Sequence, residues 1–238
     1  MRVACVFAHQ DDEKACLATL LRLRAERGAE IAFIATTNGD KGMSWDPTIP
    51  LAEAAAVRER EMTAVAAALD ASYVCLGEPD QFLFDAPPVR LALIEALRAA
   101  APDLVFTHSE HEYNADHDAT ARLTTHAALM TTIASVQTNS PALERVPAIF
   151  HCDPGPGHGF DGGTHFVAFD AAVADEKARI TRLHESQMAV MRELRGVDYA
   201  DLQRDADRAT GARLVQPYAE AFRPCLMERR IPTASLLP

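Results

Sequence analysis

Short apolar runs separated by amphipathic stretches set the plan of this chain. Val3-Ala4-Cys5-Val6-Phe7 is an unbroken apolar run that gives way at once to polar residues, so it predicts a buried strand. Glu13 to Arg27 carries Leu17, Leu20 and Leu21 at helical spacing among Lys14, Arg22 and Glu26, and it stops at Gly28. That pattern predicts an amphipathic helix. The alternation continues with a strand over 30–36, a turn-rich loop from Asn38 to Pro50, an Ala-rich helix over 51–69 and a short strand over 73–76. A helix over 89–100 and a strand over 104–107 follow. Strands alternating with helices of this length imply right-handed βαβ crossovers. The predicted fold is α/β and Rossmann-like, a mostly parallel sheet flanked by helices on both faces.

Past Pro147 the pattern predicts a strand over 148–152, a loop rich in Gly, Pro and His, a strand over 164–169 and one long helix over 175–194. These read as the far edge of the sheet and its cover. From Arg195 onward the chain is weakly patterned, and 216–222 is expected to pack back on the body. No Pro/Gly/Ser-rich stretch divides the chain, which therefore reads as one domain over 1–238.

Composition narrows the partners more than the fold. With 48% hydrophobic and 24% charged residues over 238 positions, the chain has the make-up of an ordinary globular protein. A net charge of -11, with its basic residues scattered, argues against nucleic acid and against an anionic membrane surface. A small-molecule partner fits better, and a homo-oligomer is left open. No apolar stretch approaches the ~20 residues that span a bilayer, and polar residues follow the first strand too early for a secretion signal. The expected location is cytoplasmic. The five cysteines are odd in number and widely spaced, which fits reduced thiols better than disulfides.

In parallel sheets ligands collect at the carboxyl ends of the strands, here His9, Asn38, Gly77 and His108 with the loops after them. The first of these turns, Ala8-His9-Gln10-Asp11-Asp12-Glu13, holds a nitrogen ligand and a carboxylate pair. His9 and Asp12 are three apart across a helix start and can face one point, with Asp11 to one side. Two metal ligands flanked by a base have that arrangement. The bland alternative is an acidic pair capping the helix. A third ligand is expected from Thr107 to His117, where His108, His111 and His117 crowd with Glu110, Glu112 and Asp116.

These residues resemble the PIG-L/LmbE-like zinc-dependent N-deacetylases, known for an Ala-His-Pro-Asp-Asp-Glu turn and a later His-x-x-His loop. Also matching, in order, are Arg58-x-x-Glu61, Leu76-Gly77 with Asp80, Asp116-His117, His184-x-Ser186-Gln187 behind Lys177, and Tyr218 to Phe222. The resemblance implies that His9, Asp12 and His117 hold Zn²⁺, with Fe²⁺ or Co²⁺ as substitutes. It implies that Asp11 is the general base and that Arg58 and Asp80 contact the substrate. The expected activity is removal of an N-acetyl group from an amino sugar or a related small amide.

Three departures stand out. Gln10 replaces the usual Pro, Leu17-Ala18 replaces a Gly pair, and Asn114 occupies the first His of the His-x-x-His pair, a position with a catalytic role. Asn114 can donate a hydrogen bond to an oxyanion but cannot deliver a proton. It therefore motivates a competing reading, a metal- and sugar-binding module with little turnover. A Mg²⁺-dependent phospho-acceptor domain is less suited, because the third strand ends Cys75-Leu76-Gly77-Glu78 without the required Asp. His108 and His111 fall between active-site rim and loop. His151, His158 and His165 read as lid or surface, and His126 as helix surface or core. Lys177, His184, Ser186 and Gln187 read as supporting or packing residues. Trp45 could wall the pocket or simply pack down the loop after the second strand.

Overall fold

Val3 to Phe7 forms the body of strand β1 (Arg2–Phe7) in the computed structural model, which describes residues 1–43, 45–155, 160 and 163–237. Alternation then continues through α1 (Leu17–Arg27), β2 (Glu30–Thr37), α2 (Leu51–Ala68), β3 (Ser72–Glu78), α3 (Pro87–Ala100), β4 (Leu104–Thr107) and α4 (Ala115–Met130). The remaining elements are β5 (Ala148–Cys152), β6 (His165–Phe169), α5 (Ala171–Thr181), α6 (Glu185–Arg195), α7 (Tyr199–Ala212) and β7 (Tyr218–Pro224). Gly28, at φ +60, ends α1 with a left-handed cap whose N–H reaches the Arg24 carbonyl.

The strands form one sheet in the order β3-β2-β1-β4-β5-β7-β6. From β3 to β5 every pairing is parallel, as the βαβ pattern implies, while β7 runs antiparallel to both β5 and β6. The chain moves outward from β1 to β2 and β3, then crosses back to place β4 on the other side of β1. Strand order thus reverses between β1 and β4, and the crevice at their carboxyl ends is where such sheets hold ligands. His9 follows β1 and His108 follows β4, so both stand at that crevice.

Alternation along β1 feeds two cores. Val3, Cys5 and Phe7 pack with Leu17, Leu20 and Leu23 of α1 and with Met62 and Val65 of α2. Ala4 and Val6 face the other way, onto Leu93, Ile94 and Leu97 of α3 and Leu123 of α4. Strands buried on both faces read as continuous apolar runs, which is why β1, β4 and β5 were legible.

Four features differ from the sequence expectation. A 3₁₀ turn (Asp12–Ala15) precedes α1, so the helix begins at Leu17 rather than at Glu13. The long helix expected over 175–194 is two helices, α5 and α6, parted where His184 turns inward to meet Glu13 at 2.8 Å. The weakly patterned stretch after Arg195 contains α7, whose buried positions are Ala200, Asp207 and Gly211. Small and charged buried residues leave no apolar stripe to detect. Residues 218–224 form strand β7 inside the sheet, beyond mere packing against it.

Contact between α7 and β7 depends on Gly211. A Cβ there would lie 2.7 Å from both the amide N and the Cα of Tyr218, which are backbone atoms with no freedom to turn aside. Gly211→Ala is expected to destabilise the protein by about 1–3 kcal/mol through overpacking. An unchanged thermal midpoint by circular dichroism would show that α7 can slide to admit the methyl group.

Candidate metal centre

At the β1 exit the backbone is bent into an unusual shape. Asp11 has φ 129, a region that residues with a Cβ seldom occupy. The surroundings hold it there. Its N–H donates to Glu13 Oε2 at 3.0 Å, and Lys14 Nζ donates to its carbonyl at 3.0 Å. Gln10, buried beside it, donates through Nε2 to the Thr37 carbonyl at 3.1 Å, which ties the turn to the end of β2. A proline could not make that bond. Leu17 and Ala18, in place of small residues, are fully buried, and the Ala18 N–H donates to Glu220 at 2.9 Å.

This turn and the first turn of α4 bring three donor atoms together. His9 Nδ1 lies 3.2 Å from Asp12 Oδ2 and 3.2 Å from His117 Nε2, and the last two are 3.4 Å apart. Ligand atoms ~2.0–2.1 Å from a tetrahedral zinc stand ~3.3 Å from one another. The three atoms therefore already span one face of such a tetrahedron. Each histidine turns its other nitrogen to a carboxylate. His117 Nδ1 donates to Glu112 at 2.6 Å, and His9 Nε2 lies 3.0 Å from Asp80 and 3.3 Å from Asp116. Such pairing fixes the tautomer that leaves a lone pair for a metal.

Burial lowers His9, but its hydrogen bonds with Asp116, Asp12 and Asp80 raise it well above its usual value, so a cation bound there would displace a proton. Burial pushes the Asp12 carboxyl up, but His117, Lys14 and His108 around it hold it well below the usual carboxylate range. For Glu112, burial is likewise overcome by its hydrogen bonds with His108 and His117, which bring it down to about 2. Burial lowers His117, and the neighbouring His108 lowers it further, which favours the neutral ring a metal needs. The donor set, its spacing and its charges fit a divalent cation.

With this geometry in view, likeness to known proteins becomes informative. The model of the family described as PIG-L, GlcNAc-PI de-N-acetylase, matches residues 4–128. The chain belongs to the PIG-L family. No curated protein matches it significantly in sequence. Among solved structures it is similar to the conserved protein TT1542 from Thermus thermophilus, at 26% identity, with 94% of each chain covered and a TM-score of 0.78. It is also similar to N,N'-diacetylchitobiose deacetylase from Pyrococcus horikoshii, at 21% identity, with 94% of this chain and 83% of that one covered and a TM-score of 0.80. A third similar structure is GalB, the 4-carboxy-2-hydroxymuconate hydratase from Pseudomonas putida. There the identity is 18%, the coverage 98% and 100%, and the TM-score 0.73. The family supports a de-N-acetylase. The last two likenesses speak for the fold alone.

In this PIG-L family member the remaining predicted residues take definite places. Arg58 is only 1% exposed, and it donates to Asp11 Oδ1 at 2.8 Å and to Glu61 at 3.3 Å. It stands buried behind Asp11 rather than on an open wall. Glu61 in turn accepts from the Ser186 N–H and hydroxyl at 2.6 and 2.8 Å, and Gln187 Nε2 donates to the Gly42 carbonyl at 3.0 Å. These motif residues form one buried network under Asp11. Asp80 is buried against His9, behind the ligand face. Asn114 caps α4, with its Oδ1 accepting from the Asp116 N–H at 2.8 Å.

His108 is buried and stacked on His117, with ring centroids 3.9 Å apart, while His111 is exposed. His126 is half-buried on α4, Trp45 is 38% exposed, and His158 lies outside the described residues. His151, expected at a lid or surface, is buried within β5.

Three contributors escaped the sequence reading. Glu112 and Asp116 were visible as acids near His117, but nothing in their spacing tells which ring each would hold. Lys14 looked like a charged position on an amphipathic helix. It proves to sit 3.4 Å from Asp12 and 3.8 Å from Asp11, on the wall of a cleft of about 480 Å³. Asp12, His108, Tyr113 and His117 line that cleft together with Met191, Tyr199 and Leu202 of the α6 and α7 helices.

Proposed function

We propose that the protein is a metal-dependent hydrolase that removes the N-acetyl group from an amino sugar or a related small amide. His9, Asp12 and His117 hold Zn²⁺ in this reading, with Fe²⁺ or Co²⁺ as substitutes. The observation that carries it is the mutual 3.2–3.4 Å spacing of three ligand atoms beside an open cleft, with a carboxylate behind each ring. When bound, the ion supplies Lewis-acid polarisation of the amide carbonyl and acidifies a water molecule.

The chain's own groups do the rest. Burial pushes Asp11 up, but the Lys14 ammonium and the Arg58 guanidinium more than offset this, so the carboxylate stays ionised. It takes the proton of the attacking water and returns it to the leaving nitrogen. Lys14, beside Asp12 on the cleft wall, adds fixed positive charge where the acyl oxygen becomes negative. Asn114 is engaged as a helix cap, so both proton transfers fall to Asp11. The substrate is a small N-acetylated sugar or conjugate, which suits a cleft of this size. Among the described residues no helix is long and apolar enough to cross a membrane, and all five cysteines are free, which supports a cytoplasmic setting.

Zinc-loaded protein offered a panel of N-acetyl sugars should release acetate, and the chelated protein should not. Saturable sugar binding without acetate would favour the binding-module reading instead. Protein purified without added metal should carry a divalent ion at this site, and His117→Ala should contain about one equivalent less per chain. Equal metal content in the two proteins, measured by elemental analysis, would remove His117 from the ligand set.

A further inference from the structure

Next to the His108 backbone, three more donors converge from three separate parts of the chain. His151 lies on β5, 2% exposed, and its Nδ1 donates to the His108 carbonyl at 2.6 Å. A carbonyl only accepts, so the ring proton is on Nδ1 and the lone pair is on Nε2. That nitrogen is buried with no hydrogen-bond partner. Cys225 follows β7, is 4% exposed with a free thiol, and is anchored by its N–H to the Ile149 carbonyl at 2.8 Å. Glu110, on the loop after β4, brings Oε1 to 3.8 Å from His151 Nε2. One donor atom from each of the three lies within 4.8 Å of the others.

A buried nitrogen without a partner is costly to keep, so a lone pair held this way asks for an occupant. We infer that Glu110, His151 and Cys225 form a second metal site, separate from His9, Asp12 and His117, that takes a thiophilic divalent cation such as Zn²⁺. Mixed sulfur, imidazole and carboxylate donors favour zinc over magnesium or calcium. The carboxylate and the thiolate formed on binding outweigh the nearby Arg223, whose guanidinium lies over the Phe160 ring. Glu110, with its side chain 27% exposed, is the ligand that swings in to close the site, and it marks the entry path. Occupation would clamp together the ends of β5 and β7 and the loop that leads from β4 toward α4.

The two sites differ in one readable property, because only the second contains sulfur. Cobalt(II) titrated into the whole protein after its bound metal has been removed with a chelator should fill both, and the second should give a near-ultraviolet sulfur-to-cobalt charge-transfer band. Cys225→Ser should abolish that band and lose one equivalent of metal, while His117→Ala should keep the band and lose the other equivalent. Wild-type protein that binds cobalt without the band, or a band that survives Cys225→Ser, would overturn the second site and leave the first standing. If His117→Ala does not fold, the comparison of Cys225→Ser with wild type still decides the matter.

Discussion

Asp11→Asn is expected to lower kcat/KM for acetate release by about 10²–10⁴-fold, the usual contribution of a positioned general base, which is the role proposed for Asp11. Metal content should stay at the wild-type value, because Asp11 is not among the three atoms that converge at 3.2–3.4 Å. Asparagine is a fair probe here for a backbone reason. The residue sits at φ 129, and Asn has the shape and size of the Asp it replaces, so it meets the same backbone demand. Its amide oxygen also still accepts from Arg58, as the Asp11 carboxylate does at 2.8 Å. What is removed is the ability to take a proton. Near-normal turnover with metal retained would exclude Asp11 as the base and shift attention to His108, buried beside Asp12.

Arg58→Met should destabilise the protein by about 3–5 kcal/mol, the cost of stripping one partner from a buried ion pair. The guanidinium is 1% exposed and bridges Asp11 and Glu61, so its loss strips both buried carboxylates of a cationic partner. For a chain of this size the thermal midpoint should fall by on the order of 10 °C. Activity should fall as well, through kcat, because Asp11 loses the group that orients and ionises it. A substrate-contacting arginine would behave oppositely, with KM raised and the melting temperature unchanged. Measuring both quantities on one variant therefore decides between positioning the base and touching the sugar.

The order of strands and helices through β4 was legible because buried parallel strands are nearly pure apolar runs and their helices carry a clear stripe. The His9 and Asp12 pair was legible for a local reason, since spacing across a single turn is fixed by backbone geometry. His117 could be expected only as a residue from another strand end. Its approach to His9 is long-range, 108 positions apart in sequence, and it arises because β1 and β4 are neighbours at the reversal of strand order.

By itself the sequence determined an α/β sheet, the turn that carries His9, Asp11 and Asp12, and a crowded His/acid segment able to complete a site. Tertiary structure decided which acid backs which ring, that Arg58 is buried under Asp11, that Lys14 reaches the cleft, and that His151, with one ring nitrogen unpaired, lies beside Glu110 and Cys225. It also decided the β5-β7-β6 edge, where strands pair antiparallel across long separations in the chain. The physical reason is the same in each case. Local periodicity reports which way a side chain faces relative to its own element, whereas its partners depend on how elements distant in sequence pack together.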